Sequence, residues 1–142
     1  MKKTPVIILA GGFGTRLSAV VKDVPKPMAP IHGKPFLHYI FKELAFQRIE
    51  NVVLSVGYLN TIIQAFFKDT YLGINIQYAI EEEPLGTGGA IKHAFKYIDE
   101  DAFILNGDTF FDIPLSNLIN THSDITIALK PMFEFDRYGT VE

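Results

Sequence analysis

Residues Val6 to Ala10 form an unbroken apolar run that stops at Gly11 and Gly12. A run of this length with no polar alternation fits a strand buried on both faces, as in a parallel sheet covered by helices. Val52 to Val56, Ile74 to Ile80, Ala102 to Leu105 and Ile125 to Leu129 predict four further strands. Between them lie segments of helical spacing. Phe36, Leu37, Ile40, Phe41 and Leu44 follow Pro35. Asn60 is placed to cap a helix with Ile62, Ile63, Phe66 and Phe67 on one side. Thr87 opens a helix whose buried face is Ala90, Ile91, Ala94, Phe95 and Ile98, and Pro114 starts a short one with Leu115, Leu118 and Ile119. Strands alternating with helices predict right-handed crossovers and an α/β fold with a mostly parallel sheet. In such sheets ligands bind beyond the carboxyl ends of the strands, so Gly11 to Arg16 and Asn106 to Asp108, each just after a strand, are expected to share one cleft.

Composition narrows the function. The chain has 142 residues, no cysteine, and a net charge of -3. Disulfide frameworks and thiolate metal sites are excluded. The N-terminal apolar run is too short for a signal core of about 7 to 15 residues, which gives a cytoplasmic expectation. The charge is uneven: residues 1–42 hold seven Lys/Arg and one acid, while the remainder holds six Lys/Arg and fifteen acids. A basic segment in an acidic chain suggests a local anion site rather than a nucleic-acid surface.

Chemistry concentrates in that basic segment. Gly11, Gly12 and Gly14 let backbone N–H groups approach an anion without Cβ interference. Thr15 adds a hydroxyl, and Arg16 a planar fork suited to phosphate oxygens. The segment is neither a P-loop nor a dinucleotide loop. Lys26 stands between Pro25 and Pro27, which bias its backbone towards extended conformations and reduce the freedom it loses on meeting a phosphate. Asp108 follows Asn106 and Gly107 at the end of a buried strand. None of the four histidines has a partner at metal-binding spacing, and Tyr71, Tyr78, Phe110 and Phe111 fit a core or an interface better than a stacking platform.

Leu-Ala-Gly-Gly-x-Gly-Thr-Arg-Leu from Leu9, followed by Pro25 to Met28, resembles the opening of the sugar-phosphate nucleotidyltransferases. The stretch from Val20 to Pro30 is similar to their heptose 1-phosphate guanylyltransferase branch, and Pro84 to Ala90 and Leu105 to Asp108 extend the likeness over nearly the whole chain. The resemblance implies a Rossmann-like nucleotide-diphospho-sugar transferase fold, of which residues 1–142 would be the N-terminal nucleotide-binding portion with the C-terminal part missing. It implies that Leu9 and Ala10 bind the nucleotide, that Gly11 to Thr15, with Gly12 and Gly14, wrap the triphosphate, and that Arg16 and Lys26 are catalytic, neutralising charge around the α-phosphate and departing pyrophosphate. Gly86 and Thr87 would approach base or ribose, Asn106 would contact nucleotide, Asp108 would bind Mg²⁺, and Gly139 would approach the sugar. Glu81, first of three consecutive acids, falls near the position that reads the base edge. A carboxylate there favours GTP over UTP, and both over CTP.

The implied reaction joins an NTP to a sugar 1-phosphate, as in precursor synthesis for lipopolysaccharide or capsule. A homo-oligomer is compatible with the aromatic content. A non-catalytic nucleotide-binding module is the alternative, and a kinase-like domain a weaker one, since kinase motifs are absent.

Overall fold

A computed structural model describes residues 4–12, 24–119 and 122–133. They belong to two compact units, Met1–Asp112 and Ile113–Glu142. In the first, the strands are β1 (Val6–Leu9), β2 (Pro30–Ile31), β3 (Lys34–Pro35), β4 (Asn51–Val56), β5 (Thr70–Tyr71), β6 (Ile74–Ile80) and β7 (Phe103–Asn106). The helices are α1 (Phe36–Phe46), α2 (Asn60–Phe67) and α3 (Gly86–Ala94), with 3-10 turns at Lys26–Met28 and Phe95–Tyr97.

The main sheet has the order β5-β6-β4-β1-β7. Strands β6, β4, β1 and β7 are parallel, and only the short β5 runs antiparallel, against β6. Side chains alternate across the sheet. On one face Ile7, Val53 and Ala79 pack with Ala94 of α3, and Leu9, Ile98 and Ala102 border them. The other face carries Val6, Ile8, Val52 and Leu54, each 0–1% exposed. Chain order explains the two layers. The path from β1 through β4 to β6 runs one way along the sheet, then β7 returns to the far side of β1. With right-handed crossovers, reversal of direction moves the connecting helix to the opposite face. Helix α3, inside the returning connection, accordingly packs on β4 and β1. Helices α1 and α2 bury Leu37, Ile40, Phe41 and Leu44, and Ile63 and Phe67, and are joined by the stacked rings of Phe41 and Phe67 at 5.0 Å.

The point of reversal lies between β1 and β7. There the chain leaves neighbouring strand ends in opposite directions and opens a crevice, where open α/β sheets bind ligands.

Several expected elements differ. The segment Ile125 to Leu129 is not a strand, and Ile125 is 79% exposed. Its alternation has the right period, but no ladder pairs it among the described residues, and an unpaired segment satisfies no backbone groups. Asn60 is the first residue of α2 and not its cap. Leu59 holds that place in a left-handed conformation, and the Asn60 amide donates to the Gly57 carbonyl at 2.9 Å. On α3 only Ala90 and Ala94 are buried; Phe95 is half-exposed, because the α-helix ends at Ala94 and the 3-10 turn after it changes the phase. Pro35 precedes α1 as its N-cap, and the helix foreseen after Pro114 is a 3-10 turn, Leu115–Leu118.

Candidate functional site

The crevice begins with backbone. Leu9 pairs with Ser55 on one side and Asn106 on the other, so the ends of β1, β4 and β7 are level. The Gly107 N–H donates to the Leu9 carbonyl at 2.8 Å. A Cβ on Gly107 would lie 2.8 Å from that oxygen and 3.2 Å from the Ala10 Cβ. Only glycine lets the strand end after β7 come this close to the glycine loop, and this contact brings Asp108 beside Leu9 and Ala10. The contact lies just before the segment expected to share a cleft with Asn106 to Asp108: it joins Gly107 to Leu9 and Ala10, and residues 13–16 lie outside the described residues.

Lys26 arrives from the 3-10 turn. The prolines do not hold it extended, as their sequence suggests. The turn forms because its bonds, Met28 N–H to the Pro25 carbonyl and Ala29 N–H to the Lys26 carbonyl, use no proline nitrogen. Pro25, Pro27 and Met28 are buried around it, which fixes the backbone while Lys26 itself stays accessible. The Lys26 ammonium lies 3.8 Å from the Asp108 Oδ2, while Asp108 Oδ1 accepts the Thr109 hydroxyl at 3.3 Å. Among the described residues there is no cluster of three or more His, Asp or Glu side chains able to cage a metal.

A second part of the site faces the other flank of Gly11. An open cleft of about 450 Å³ is lined by Gly11, by Gly57 to Asn60 and by Ile80 to Pro84. Glu82 and Glu83 are exposed, as a solvated acidic run would be, but Glu81 is not. Its Oε1 accepts the Ser55 hydroxyl at 2.9 Å and its Oε2 accepts the Leu85 N–H at 3.1 Å. The Oε1 sits where a Cβ on Gly11 would be, 2.6 Å away. Gly86, with φ of 69°, and Thr87 stand at the exposed start of α3, whose first N–H groups have no partner inside the helix. Gly86, Thr87, Asn106, Lys26 and Asp108 do not line that cleft.

Gly14, Thr15, Arg16 and Gly139 lie outside the described residues. Ser55 and Gly57 to Leu59 carry no signal of a site in the sequence apart from a glycine directly after a strand, and Asn60 carries only that of a helix cap. His93 is structural: its Nε2 meets the Ile80 carbonyl at 3.1 Å and its ring lies edge-on to Tyr97. Tyr71 is part of the aromatic core and Tyr78 donates to the Lys68 carbonyl, whereas Phe110 and Phe111 remain partly exposed.

The family model for nucleotidyl transferases matches residues 5–142. The chain belongs to the nucleotidyl transferase family. Within it, the chain is 58% identical over 135 residues to a D-glycero-alpha-D-manno-heptose 1-phosphate guanylyltransferase from Campylobacter jejuni, covering 95% of this chain and 61% of that protein. It is 37% identical over 141 residues to a mannose-1-phosphate guanylyltransferase from Mycobacterium tuberculosis, covering 95% of this chain and 39% of that one. The crystal structure of HddC from Yersinia pseudotuberculosis complexed with GMP-PN superposes with a TM-score of 0.74 at 44% identity, covering 86% of this chain and 55% of that one. The nucleotidyl transferase chain described here thus spans about 61% of the length of the first of these relatives. No helix among its described residues is long and apolar enough to cross a membrane.

Proposed function

We propose that this chain forms the nucleotide-binding part of a guanylyltransferase that joins GTP to a sugar 1-phosphate and releases pyrophosphate. The observation that carries the reading is the meeting at the β1–β7 crevice: Gly107 against Leu9 and Ala10, and a lysine and a carboxylate 3.8 Å apart beside them. Leu9, Ala10, Gly11 and Gly12, continued by Gly14 and Thr15, would receive the triphosphate. Arg16 and Lys26 would neutralise charge at the α-phosphate and on the leaving pyrophosphate. Gly86, Thr87 and Asn106 would contact base and ribose, and Gly139 the sugar.

The chemistry needs positioning more than proton transfer. A sugar phosphate oxygen attacks the α-phosphorus of GTP in line, a new P–O bond forms, and the α–β anhydride bond breaks with its electrons leaving on pyrophosphate. The attacking phosphate is already ionised near neutrality, its second pKa being about 6, so no general base is required. Fixed positive groups then supply the main assistance. Mg²⁺ takes one or two carboxylates together with substrate phosphates. Asp108, exposed after β7, offers one carboxylate to that donor set, and the bound ion would neutralise phosphate oxygens.

The guanine preference rests on Glu81, whose carboxylate borders the cleft at Gly11 and offers acceptors to adjacent N–H donors. The names of the relatives put heptose 1-phosphate first as acceptor, with mannose 1-phosphate as the comparison. Calorimetric titration with GTP, UTP, CTP, ATP and dTTP, with and without Mg²⁺, tests the reading. Magnesium-dependent binding that favours GTP and is lost in Arg16→Ala supports it; a folded chain that binds no NTP overturns it. Pyrophosphate release with each sugar phosphate then separates an enzyme from a nucleotide-binding module.

A further inference from the structure

Ser55 is out of character for its place. It lies near the end of the central strand β4, where Val52, Val53, Leu54 and Val56 are all buried and apolar, and it is the one fully buried polar side chain among the described residues. A hydroxyl removed from water is costly unless it is hydrogen-bonded. This one donates to Glu81 Oε1 at 2.9 Å, and the carbonyl of the same residue accepts the Ala10 N–H at 2.8 Å. Ser55 therefore ties the root of the glycine loop to the one acidic side chain whose carboxylate is held in the cleft wall.

The hydrogen bonds around Glu81 determine what it can still accept. An ionised carboxylate has about four lone-pair sites, two on each oxygen. The Ser55 hydroxyl takes one on Oε1 and the Leu85 N–H takes one on Oε2. The Glu81 N–H is bound to the Val56 carbonyl at 2.7 Å, and the close face of Gly11 closes another side. One acceptor position then remains on each oxygen. Two side-by-side acceptors on a carboxylate oriented by the Ser55 and Leu85 hydrogen bonds fit two side-by-side donors. Guanine presents that pair, N1–H and the 2-amino group; hypoxanthine has only the first, and uracil only a single N–H.

We propose that Ser55 is a positioning residue for base selection: its hydroxyl orients the Glu81 carboxylate so that both remaining acceptors face the base, and the 2-amino group of guanine is recognised through that orientation. This rests on the nucleotide-binding reading above. Losing one hydrogen bond to a charged group weakens binding by about tenfold or more, so the chain binds GTP about tenfold more tightly than ITP. In Ser55→Ala the carboxylate loses its anchor on Oε1 and the GTP-to-ITP ratio falls to about threefold or less, chiefly through weaker GTP binding.

Titrations of GTP and ITP in Mg²⁺ into wild type and Ser55→Ala, with thermal melts alongside, test this. A serine that only supported the fold would weaken both nucleotides alike and leave the ratio unchanged. That result, with wild type preferring GTP, overturns the role of Ser55 and leaves the nucleotide-binding reading intact. Failure of wild type to bind either nucleotide overturns both. If Ser55→Ala does not fold, Ser55→Cys, of similar shape but a weak donor, gives the same decision: a reduced ratio supports the inference and a preserved one overturns it.

Discussion

The ammonium of Lys26 stands 3.8 Å from the carboxylate of Asp108, although the two come from a 3-10 turn and from the loop after β7, more than eighty positions apart in the chain. Their side chains are 28% and 48% exposed. A pair so open to water contributes about 0–1 kcal/mol to stability. Lys26→Ala and Asp108→Asn are therefore expected to melt close to wild type. Their effect should fall on the ligand. Lys26→Ala lowers GTP affinity in Mg²⁺ by about tenfold or more, the scale of one charge-assisted contact. Asp108→Asn removes most of the difference between titrations with and without Mg²⁺. Calorimetry with parallel melting curves checks both.

Two glycines at the crevice should separate fold from function. A methyl on Gly107 would meet backbone, the Leu9 carbonyl at 2.8 Å and Ala10 beyond it, so β1 and β7 must part to admit it. Overpacking of that kind costs about 1–3 kcal/mol, and Gly107→Ala should show it in urea denaturation. A methyl on Gly11 would meet the Glu81 Oε1 at 2.6 Å, the far end of a flexible side chain. Gly11→Ala should therefore keep most of its stability while displacing that carboxylate, and its preference for GTP over ITP should drop as in Ser55→Ala.

The contrast shows what sequence conveys here. The strand from Val6 was legible because burial on both faces leaves no polar residue in it, and Ile74–Ile80, which alternates with Asn75 and Gln77, matches the expected bounds. The strand before Asp108 was expected to be buried, but β7 stands last in the sheet order and Ile104 is 43% exposed. Ile125 to Leu129 misled because period says nothing about whether a partner strand is present. Two tight hairpins went unread, at His32 and Gly33 and at Leu72 and Gly73, where both central residues have positive φ. The glycine in second position was the available signal, but histidine and leucine are unusual before it in such turns. Within the site, family resemblance pointed to Glu81, but nothing in the three acids themselves tells it from Glu82 and Glu83. Ser55, Gly11 and the Leu85 N–H make the difference, and they come from three other parts of the chain.

The aromatic cluster between α1, α2 and β5 is expected to carry much of the stability. Phe67 is fully buried, stacks on Phe41 at 5.0 Å and meets Tyr71 edge-on at 4.7 Å. Truncation to alanine removes the ring and leaves a cavity that neighbouring aromatics fill poorly. Phe67→Ala should cost about 3–5 kcal/mol, measured by urea denaturation. An effect below about 1 kcal/mol would mean that the cluster repacks.

The same cluster makes stability depend on pH. His38 Nδ1 shares a hydrogen bond of 2.8 Å with the Tyr71 hydroxyl. Burial first, and then the positive charges of Lys34 and Lys42, hold the imidazole below its ordinary value of 6.5. Below that value the unfolded chain takes up a proton at this position more readily than the folded one. The linkage relation then makes stability increase with pH in that window. The contribution of neutral His38 is fully present above 6.5 and is lost as pH falls through 6.5 towards the folded-state value. In His38→Gln that titration is gone. The stability difference between wild type and His38→Gln should therefore be constant from pH 8 to about 7 and narrow as pH falls below 6.5. A difference that stays constant to pH 5.5, in urea unfolding followed by circular dichroism, would show that the folded chain accepts the proton on His38 as readily as the unfolded one.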